Sequence, residues 1–340
     1  MKPRILLIVL ALLIAVTGGY FWQRHAAERP LDPVGKVSLA ASLTLSPATL
    51  WIAQDRGLFA RAGLEATMIN CATGKACTEA MLKGEVDLAA AAEFLAARQA
   101  FMAKDLRILA TTAFIHSIKL QALKQRGISS LIDLKGKRVG VKLGTNGEFF
   151  LARLLTLNSL GRDDITWVDL QPQAMAEALG NGQVDAVLIW PPFSSKIQSR
   201  FGDRLVEFDG QPGQDYYYLV MGRQDWLASN PKLAERVMLA LKWADEWMKA
   251  HPEETKTYLA AKFKLEPAAI DRELRESRFD FGLPQALLSV LEAEGRWLQE
   301  QGTPGELPAN SLDLIAFEPL LAVAPETVTM IRGRPATSKD

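Results

Sequence analysis

Residues 81–93 read MLKGEVDLAAAAE and residues 178–190 read ALGNGQVDAVLIW, so one pattern occurs twice in this chain. Each copy has a glycine, one polar residue, a valine, an aspartate and then an apolar run. The glycine favours the left-handed backbone that ends a helix, and the valine with the apolar run predicts a buried strand. The pattern therefore predicts two copies of one helix-to-strand unit, with strands at 86–91 and 184–189.

A strand–loop–helix pattern precedes each copy: KVSLAASLTLSPATLWIAQ at 36–54 and KRVGVKLGTNGEFFLARLL at 137–155. Strands that alternate with helices predict a largely parallel sheet with helices on its faces. Two such units predict two lobes, and the cleft between two open sheets is a usual place for a small ligand. After these units the pattern turns helical, and it predicts helices at 231–250, 252–263, 267–275 and 284–300.

Composition and charge exclude one class of partner. Lys plus Arg and Asp plus Glu both number 39 in the 340 residues, so the formal net charge is zero. No basic patch is interleaved with aromatic residues, so we expect no nucleic-acid partner. We expect the protein to be monomeric.

The N-terminus is typical of an export signal. Lys2 and Arg4 precede the apolar stretch 5–22, which is at the short end for a membrane-spanning helix. We interpret residues 1–23 as an uncleaved signal anchor, with a cleaved signal peptide as the alternative, and 24–35 as a linker. Either interpretation predicts a periplasmic or extracytoplasmic protein, tethered to the inner membrane if the segment is uncleaved.

The chain has two cysteines, Cys71 and Cys77. In an oxidising compartment a pair this close in sequence favours a disulfide, while free thiols and a metal or catalytic role remain alternatives. Histidine is scarce, with three in the chain, and a metal site usually needs several such ligands. We expect no metal and no cofactor.

The repeat and its flanks resemble the substrate-binding proteins of ABC importers, in the nitrate/sulfonate/taurine group that includes thiamine-precursor binders. The similar segments are PATLWIAQDRGLFARAGLEATMI, MLKGEVDLAAAAE, SLIDLKGKRVGVKLGTNGEFFLARLL and the block that ends in VDAVLIWPPF, within residues 36–320. The resemblance implies an α/β, two-lobed type 2 periplasmic-binding-protein fold. Each lobe is then a mixed sheet flanked by helices, with a two-strand hinge and with C-terminal helices packed on lobe one.

The resemblance also implies lobe boundaries. We expect hinges near 113–118 and 209–216. Lobe one is expected to comprise residues 36–114 and 216–325, lobe two residues 115–215, and residues 326–340 a partly disordered tail.

Ligands of open α/β sheets bind beyond the carboxyl ends of the strands, and this rule selects the candidate residues. The loop that contains Thr145 also leads into a helix. The free N–H groups at the start of that helix favour an anionic or carbonyl oxygen. Thr145 or Asn146 has the alternative role of a helix cap. Ser46 before a proline predicts such a cap as well, at the start of a helix that runs to about residue 60. The candidates are Ser42, Thr44, Ser46, Asn70, Thr73 and Glu93 in lobe one, Thr145, Asn146, Gly147, Glu148 and Trp190 in lobe two, and His116, Asp215 and Tyr216 near the hinges.

The charge of the ligand stays open at this stage. A Glu148 carboxylate that faces the cleft repels an anion and, together with Glu93, favours an amine or N-heterocycle; otherwise Glu148 complements the helix dipole. Trp190 is a candidate to stack on the ligand or a buried residue of the sheet. Strand alternation turns Tyr217 away from its two tyrosine neighbours. Pro191 stands where the resembling family often has a glutamate.

We therefore expect the solute-binding component of an ABC importer, which captures a small polar organic or anionic metabolite and delivers it to a membrane permease. Two alternatives belong to other classes. One is an enzyme on the same fold that uses Cys71 or Cys77 with His116, and the other is a membrane-tethered ligand sensor.

Overall fold

The computed structural model describes residues 30–306 and 308–332. The predicted anchor 1–23, the first part of the linker and the end of the tail lie outside these residues. Within the described ranges, no helix has both the length and the apolar character needed to cross a membrane. The strands are β1 Gly35–Ser42, β2 Leu64–Cys71, β3 Leu88–Ala92, β4 Leu106–Ile115, β5 Lys119–Leu123, β6 Arg138–Val141, β7 Thr166–Asp169, β8 Ala186–Ile189, β9 Leu205–Asp209, β10 Tyr216–Arg223 and β11 Ser277–Arg278.

The helices flank these strands in both halves of the molecule. They are α1 Ala48–Asp55, α2 Leu58–Arg61, α3 Gly74–Leu82, α4 Glu93–Gln99, α5 Asn146–Leu157, α6 Met175–Asn181, α7 Phe193–Phe201, α8 Gln224–Ser229, α9 Pro231–Ala250, α10 Pro252–Phe263, α11 Pro267–Arg275, α12 Ala286–Glu300 and α13 Glu318–Leu321.

The strands form two sheets of matching topology. The first has the order β11-β4-β10-β3-β1-β2 and the second the order β7-β6-β8-β5-β9. In each sheet three strands are parallel, β2-β1-β3 or β7-β6-β8, and an antiparallel strand lies beside β3 or β8. That antiparallel strand is β10 in the first sheet and β5 in the second, and each arrives from the other lobe. The predicted two lobes with mixed sheets are confirmed.

Two crossovers connect the lobes. The first runs from β4 to β5 and the second from β9 to β10. Ile115 pairs with Tyr216 at one end of these crossovers, and Lys119 pairs with Asp209 at the other. The crossovers are thus two adjacent chain segments, as the predicted two-strand hinge requires.

The repeat ends a helix at its glycine in both copies, as predicted. Gly84 and Gly182 have φ values of +75° and +80°, in the left-handed region that favours glycine. The strands, however, begin two residues later than predicted, at Leu88 and Ala186. The side chain of the repeated aspartate binds a neighbouring strand in both copies: Asp87 accepts hydrogen bonds from Ser38 N and Oγ, both at 2.8 Å, and Asp185 accepts one from Arg138 N at 2.9 Å.

The first helix differs from its prediction. The helix expected from Ser46 to about residue 60 is two helices, α1 and α2, separated at Gly57. Ser46 does not cap α1, because its Oγ lies 2.9 Å from the hydroxyl of Tyr216 on the distant strand β10.

The C-terminal helices pack on lobe one, as expected. Helix α9 packs against α1, α2 and α13, and α12 packs against α4. Met238 and Met248 are buried in this layer, and the Arg56 guanidinium lies 3.3 Å from the Trp247 ring centroid. Helix α11 is an exception, because its side chains also reach lobe two.

Candidate functional site

The two lobes enclose a small cavity at the carboxyl ends of β1, β3, β6 and β8. Its volume is only about 30 Å³ although both lobes supply its wall, so the lobes lie close together here. Both lobes supply its wall: Ser42, Thr44, Ser46, Gly74, Lys75, Ala92, Leu95, Tyr216 and Tyr218 from lobe one, and Thr145, Asn146 and Trp190 from lobe two. Seven of these residues are sequence candidates, which the structure brings together.

Hydroxyl groups dominate the wall of lobe one. Ser42 Oγ lies 3.1 Å from Thr44 Oγ1 and 3.3 Å from the Tyr218 hydroxyl, while Ser46 Oγ lies 2.9 Å from the Tyr216 hydroxyl. Burial raises the pKa of both Tyr216 and Tyr218, so the phenols keep their protons. The wall therefore offers neutral hydroxyl donors held in fixed positions.

Two helix N-termini meet at the cavity from opposite lobes. Thr73 caps α3 by accepting a hydrogen bond from Ala76 N at 3.2 Å, and Thr145 caps α5 by accepting one from Gly147 N at 3.2 Å. Thr145 thus has the helix-cap role that the sequence left open, and Thr73 has the same role in lobe one. Gly74 and Asn146, the first residues of the two helices, line the cavity. Helix N-termini carry partial positive charge and free N–H groups, so the pair favours an anion.

Lys75 is a cavity residue that the sequence reasoning missed. It lies in the first turn of α3, and a Cβ atom placed on Gly144 of lobe two would be 3.0 Å from its Nζ. Its ammonium therefore crosses from lobe one to the loop before α5. A cation in the first turn of a helix opposes the helix dipole, and this unfavourable placement is the signal that could have identified it.

The charge of Lys75 also reaches an acidic residue of lobe two. Burial raises the pKa of Asp169, but the hydrogen bond from Lys142 Nζ and the charges of Lys142 and Lys75 outweigh it and hold that pKa below its usual range. Lys142 Nζ is 2.9 Å from both oxygens of Asp169. Asp169 is thus already paired. Lys75 Nζ has Glu79 Oε1 of its own helix at 4.0 Å, a long and half-exposed contact that a ligand anion can replace.

Trp190 is both a wall of the cavity and a buried side chain. Only 9% of its surface is exposed, and its Cζ3 would lie 3.3 Å from a Cβ atom placed on Gly147. Gly147 therefore allows the ring to approach α5 closely and is not itself part of the wall.

Glu148, Glu93 and Asn70 lie outside the cavity wall. Glu148 accepts a hydrogen bond from Gly144 N at 2.7 Å and has Arg162 at 3.8 Å, so it braces its own loop. Glu93 is fully buried, and Asn70 is exposed near the end of β2. The wall residues thus contain no carboxylate, and this leaves Lys75 as the charged group of the site.

His116 and Asp215 lie together at the hinge instead of the cavity. His116 Nδ1 is 2.9 Å from Asp215 Oδ1, and Nε2 is 3.3 Å from Asp209 Oδ2, so the ring joins the two crossovers. Tyr217 points away from the cavity and packs on Phe114 with ring centroids 4.6 Å apart, which confirms the predicted alternation.

Both cysteines are free in the structure, so the disulfide favoured by their spacing is absent there. Cys71 is half-buried at the end of β2 and shares a hydrogen bond with Cys77, which is buried in α3. Burial raises the pKa of Cys77 and keeps its thiol protonated. In the described residues, no group of His, Cys, Asp and Glu could hold a metal ion.

A family model described as NMT1/THI5 like matches residues 46–255, more than half of the chain. The chain belongs to this family. A Brucella abortus (strain 2308) relative that carries the name of a binding protein is 26% identical to this NMT1/THI5-like protein over 67% of the chain and 71% of its own length.

Solved structures of low sequence identity share the fold. The alkanesulfonate-binding protein SsuA from Xanthomonas axonopodis pv. citri, solved with MOPS, has a TM-score of 0.73 at 19% identity and covers 84% of this chain and 100% of that chain. The desulfurization enzyme DSZB has a TM-score of 0.67 at 17% identity and covers 86% and 99%. The NMT1/THI5-like protein thus has the periplasmic-binding-protein fold that its sequence predicts.

Proposed function

We propose that this NMT1/THI5-like protein is the solute-binding component of an ABC importer, which takes a small organic anion into the cleft between its lobes and delivers it to a membrane permease. One observation carries the proposal: the N-termini of α3 and α5 and the ammonium of Lys75 converge on a single cavity lined by hydroxyl groups. Each of these groups donates hydrogen bonds, and none carries negative charge.

Binding between the lobes supplies a mechanism for capture. An anion that touches the hydroxyls and Lys75 of lobe one and the α5 N-terminus of lobe two makes its full set of contacts only when the lobes are closed. A ligand with higher affinity for one conformation shifts the population toward it, so the anion favours closure. Closure changes the surface presented by the two lobes, which a permease can recognise.

We place the lobe boundaries in the two crossovers, with lobe one at 36–114 and 216–325 and lobe two at 115–215. The binding-protein relatives and the export-type N-terminus support an extracytoplasmic location, with residues 5–22 as the tether if they are uncleaved. We keep the interpretation of a monomer.

The enzyme alternative lacks support from the residues it needs. A hydrogen bond with Cys77 lowers the pKa of Cys71, but both ring nitrogens of His116 face aspartates, Asp209 and Asp215. Cys77 is buried in α3 with a raised pKa. Nucleophilic catalysis by cysteine requires a thiolate activated by a nearby base. We therefore favour binding without catalysis, although DSZB shares the fold.

Calorimetric titration with a panel of alkanesulfonates, carboxylates, amines and neutral analogues tests the proposal. We expect binding of an anion at one site per chain, and about 10- to 100-fold weaker binding in Lys75→Met, because a hydrogen bond to a charged group contributes about 1.5–3 kcal/mol. Lys83→Met, at the other end of α3, is the matched control and should bind normally. Binding of amines instead of anions, or unchanged affinity in Lys75→Met, contradicts the proposal.

A further inference from the structure

Helix α11 belongs to lobe one by its connection but contacts lobe two by its side chains. It leads directly into β11, whose Ser277 pairs with Ile115 at the edge of the first sheet. Yet Ser195, on α7 of lobe two, donates its Oγ hydrogen bond to Glu273 Oε1 at 2.5 Å. Arg272 Nη2 donates to the same Ser195 Oγ at 3.3 Å. These bonds form a lobe-to-lobe contact in addition to the two crossovers.

A second pair of bonds extends this contact toward the hinge. Lys119 Nζ, at the start of β5, lies 2.8 Å from Glu276 Oε1. The backbone N–H of His116, in the first crossover, donates to the Glu276 carbonyl at 2.8 Å. Residues 272–276 thus connect the C-terminal part of lobe one to two elements of lobe two.

The Glu273 carboxyl is enclosed between the lobes. Glu273 is 2% exposed and Ser195 is 1% exposed. The second oxygen, Glu273 Oε2, has no hydrogen-bond partner among the described residues. Burial of an ionised carboxylate with one oxygen unpartnered costs free energy, whereas the protonated carboxyl carries no charge and is tolerated.

The charged groups around Glu273 do not remove that cost. Arg272 Nη2 lies 3.9 Å from Glu273 Oε1, and Lys119 also favours the carboxylate, while Glu276 opposes it. Burial is the largest effect and raises the pKa of Glu273 to about 7. The charge of Glu273 in turn contributes to the raised pKa of Tyr216 in the cavity wall.

We propose that Glu273 and Ser195 form a proton-dependent latch between the lobes, which favours the closed cleft when Glu273 is protonated and releases it when Glu273 ionises. The proposal concerns the regulation of the cleft and rests on the proposed function. Parting of the lobes exposes Glu273 to water, where its carboxyl has an ordinary pKa.

The sign of the pH effect follows from proton linkage. The closed conformation holds the Glu273 proton more tightly than the open one, so rising pH favours opening between the ordinary pKa of a glutamate, about 4.3, and the closed-state value of about 7. The closing equilibrium constant should fall about tenfold between pH 6 and pH 8 and change little above that. An importer with this latch holds its solute more tightly at acidic pH.

Hydrogen–deuterium exchange of the ligand-free full chain tests the latch without knowledge of the ligand. The reporters are α4 and α5, which face each other across the lobes through Phe94 and Phe149, with ring centroids 5.9 Å apart. Each variant is compared with wild type at one pH at a time, so that the pH dependence of chemical exchange cancels. We expect Glu273→Gln to match wild type at pH 6 and to exchange several-fold more slowly at both reporters at pH 8, because glutamine still accepts from Ser195 and does not ionise.

Two further variants complete the design. Glu266→Gln replaces an exposed glutamate that precedes α11, and its exchange should match that of wild type at both pH values. Ser195→Ala removes the donor and should speed exchange at both reporters at pH 6. Equal exchange of Glu273→Gln and wild type at both pH values, or unchanged exchange in Ser195→Ala, overturns the latch. Since no ligand is added, either result is separate from the outcome of the calorimetric panel.

Discussion

At the scale of single residues, the site is formed by side chains that are distant in the sequence and meet only in the folded protein. Ser42, Thr44 and Thr145 could be predicted because they follow strand ends, and strand ends of an open α/β sheet meet at the cleft. Lys75 could not be predicted by that rule, since it lies inside a helix and its partner loop is in the other lobe. Glu148 remained ambiguous in sequence for the same reason, because its partner Arg162 lies on a separate turn.

Two buried carboxyls in lobe one, Glu93 on α4 and Glu294 on α12, are costly to ionise. Both are fully buried, and the two oxygens of Glu294 have no hydrogen-bond partner within the described ranges. Backbone N–H groups near Glu93, that of Tyr217 among them, lower its pKa by less than burial raises it. Burial raises the pKa of both residues, of Glu93 to about 8, and the two carboxyls disfavour each other's ionisation. The folded protein therefore holds these protons more tightly than the unfolded chain.

This pair predicts a pH dependence of stability. Because the folded-state pKa values lie above the ordinary value, the free energy of unfolding should decrease as pH rises from about 4.5 through 8, by at most about 1.4 kcal/mol per pH unit and group. Glu294→Gln should flatten this dependence in urea unfolding between pH 6 and pH 9. Glu292→Gln, exposed on the same helix, is the control. If the free energy of unfolding depends on pH in the same way in Glu294→Gln and wild type, this explanation is contradicted.

At the scale of elements, most helix bounds could be predicted because prolines and caps define their ends locally. The helices at 231–250, 252–263 and 267–275 have the predicted bounds, and each begins with a proline. Predictions failed where a distant residue takes the local partner: Tyr216 engages Ser46, which therefore does not cap α1.

The repeated aspartates should contribute equally to the two lobes. Asp87→Ala leaves the N–H and hydroxyl of Ser38 without their acceptor, and Asp185→Ala does the same to the backbone N–H and guanidinium of Arg138. We expect each change to lower the free energy of unfolding by about 1–3 kcal/mol, measured by urea denaturation. Glu85→Ala, exposed beside Asp87, should stay within about 0.5 kcal/mol of wild type. If Asp87→Ala leaves the free energy of unfolding unchanged, the aspartate of the motif precedes the strand without stabilising the fold.

At the scale of the whole molecule, the duplicated topology accounts for the position of the site. Each sheet presents the carboxyl ends of its parallel strands to the other, and each receives an antiparallel strand through a crossover. The cavity of about 30 Å³ is the closed arrangement of this architecture, so a solute enters when the lobes part. The duplication itself could be predicted from the two glycine–valine–aspartate patterns, whereas the degree of closure and the Glu273 contact depend on side-chain packing between the lobes.

Native mass spectrometry of the protein isolated without refolding tests the central claim most directly, since a retained solute reveals its own mass. The proposed function predicts one small organic anion per chain, retained by wild type and Lys83→Met and lost from Lys75→Met. A bound amine, or an anion retained equally by Lys75→Met, would contradict an anion site built from both lobes around this lysine.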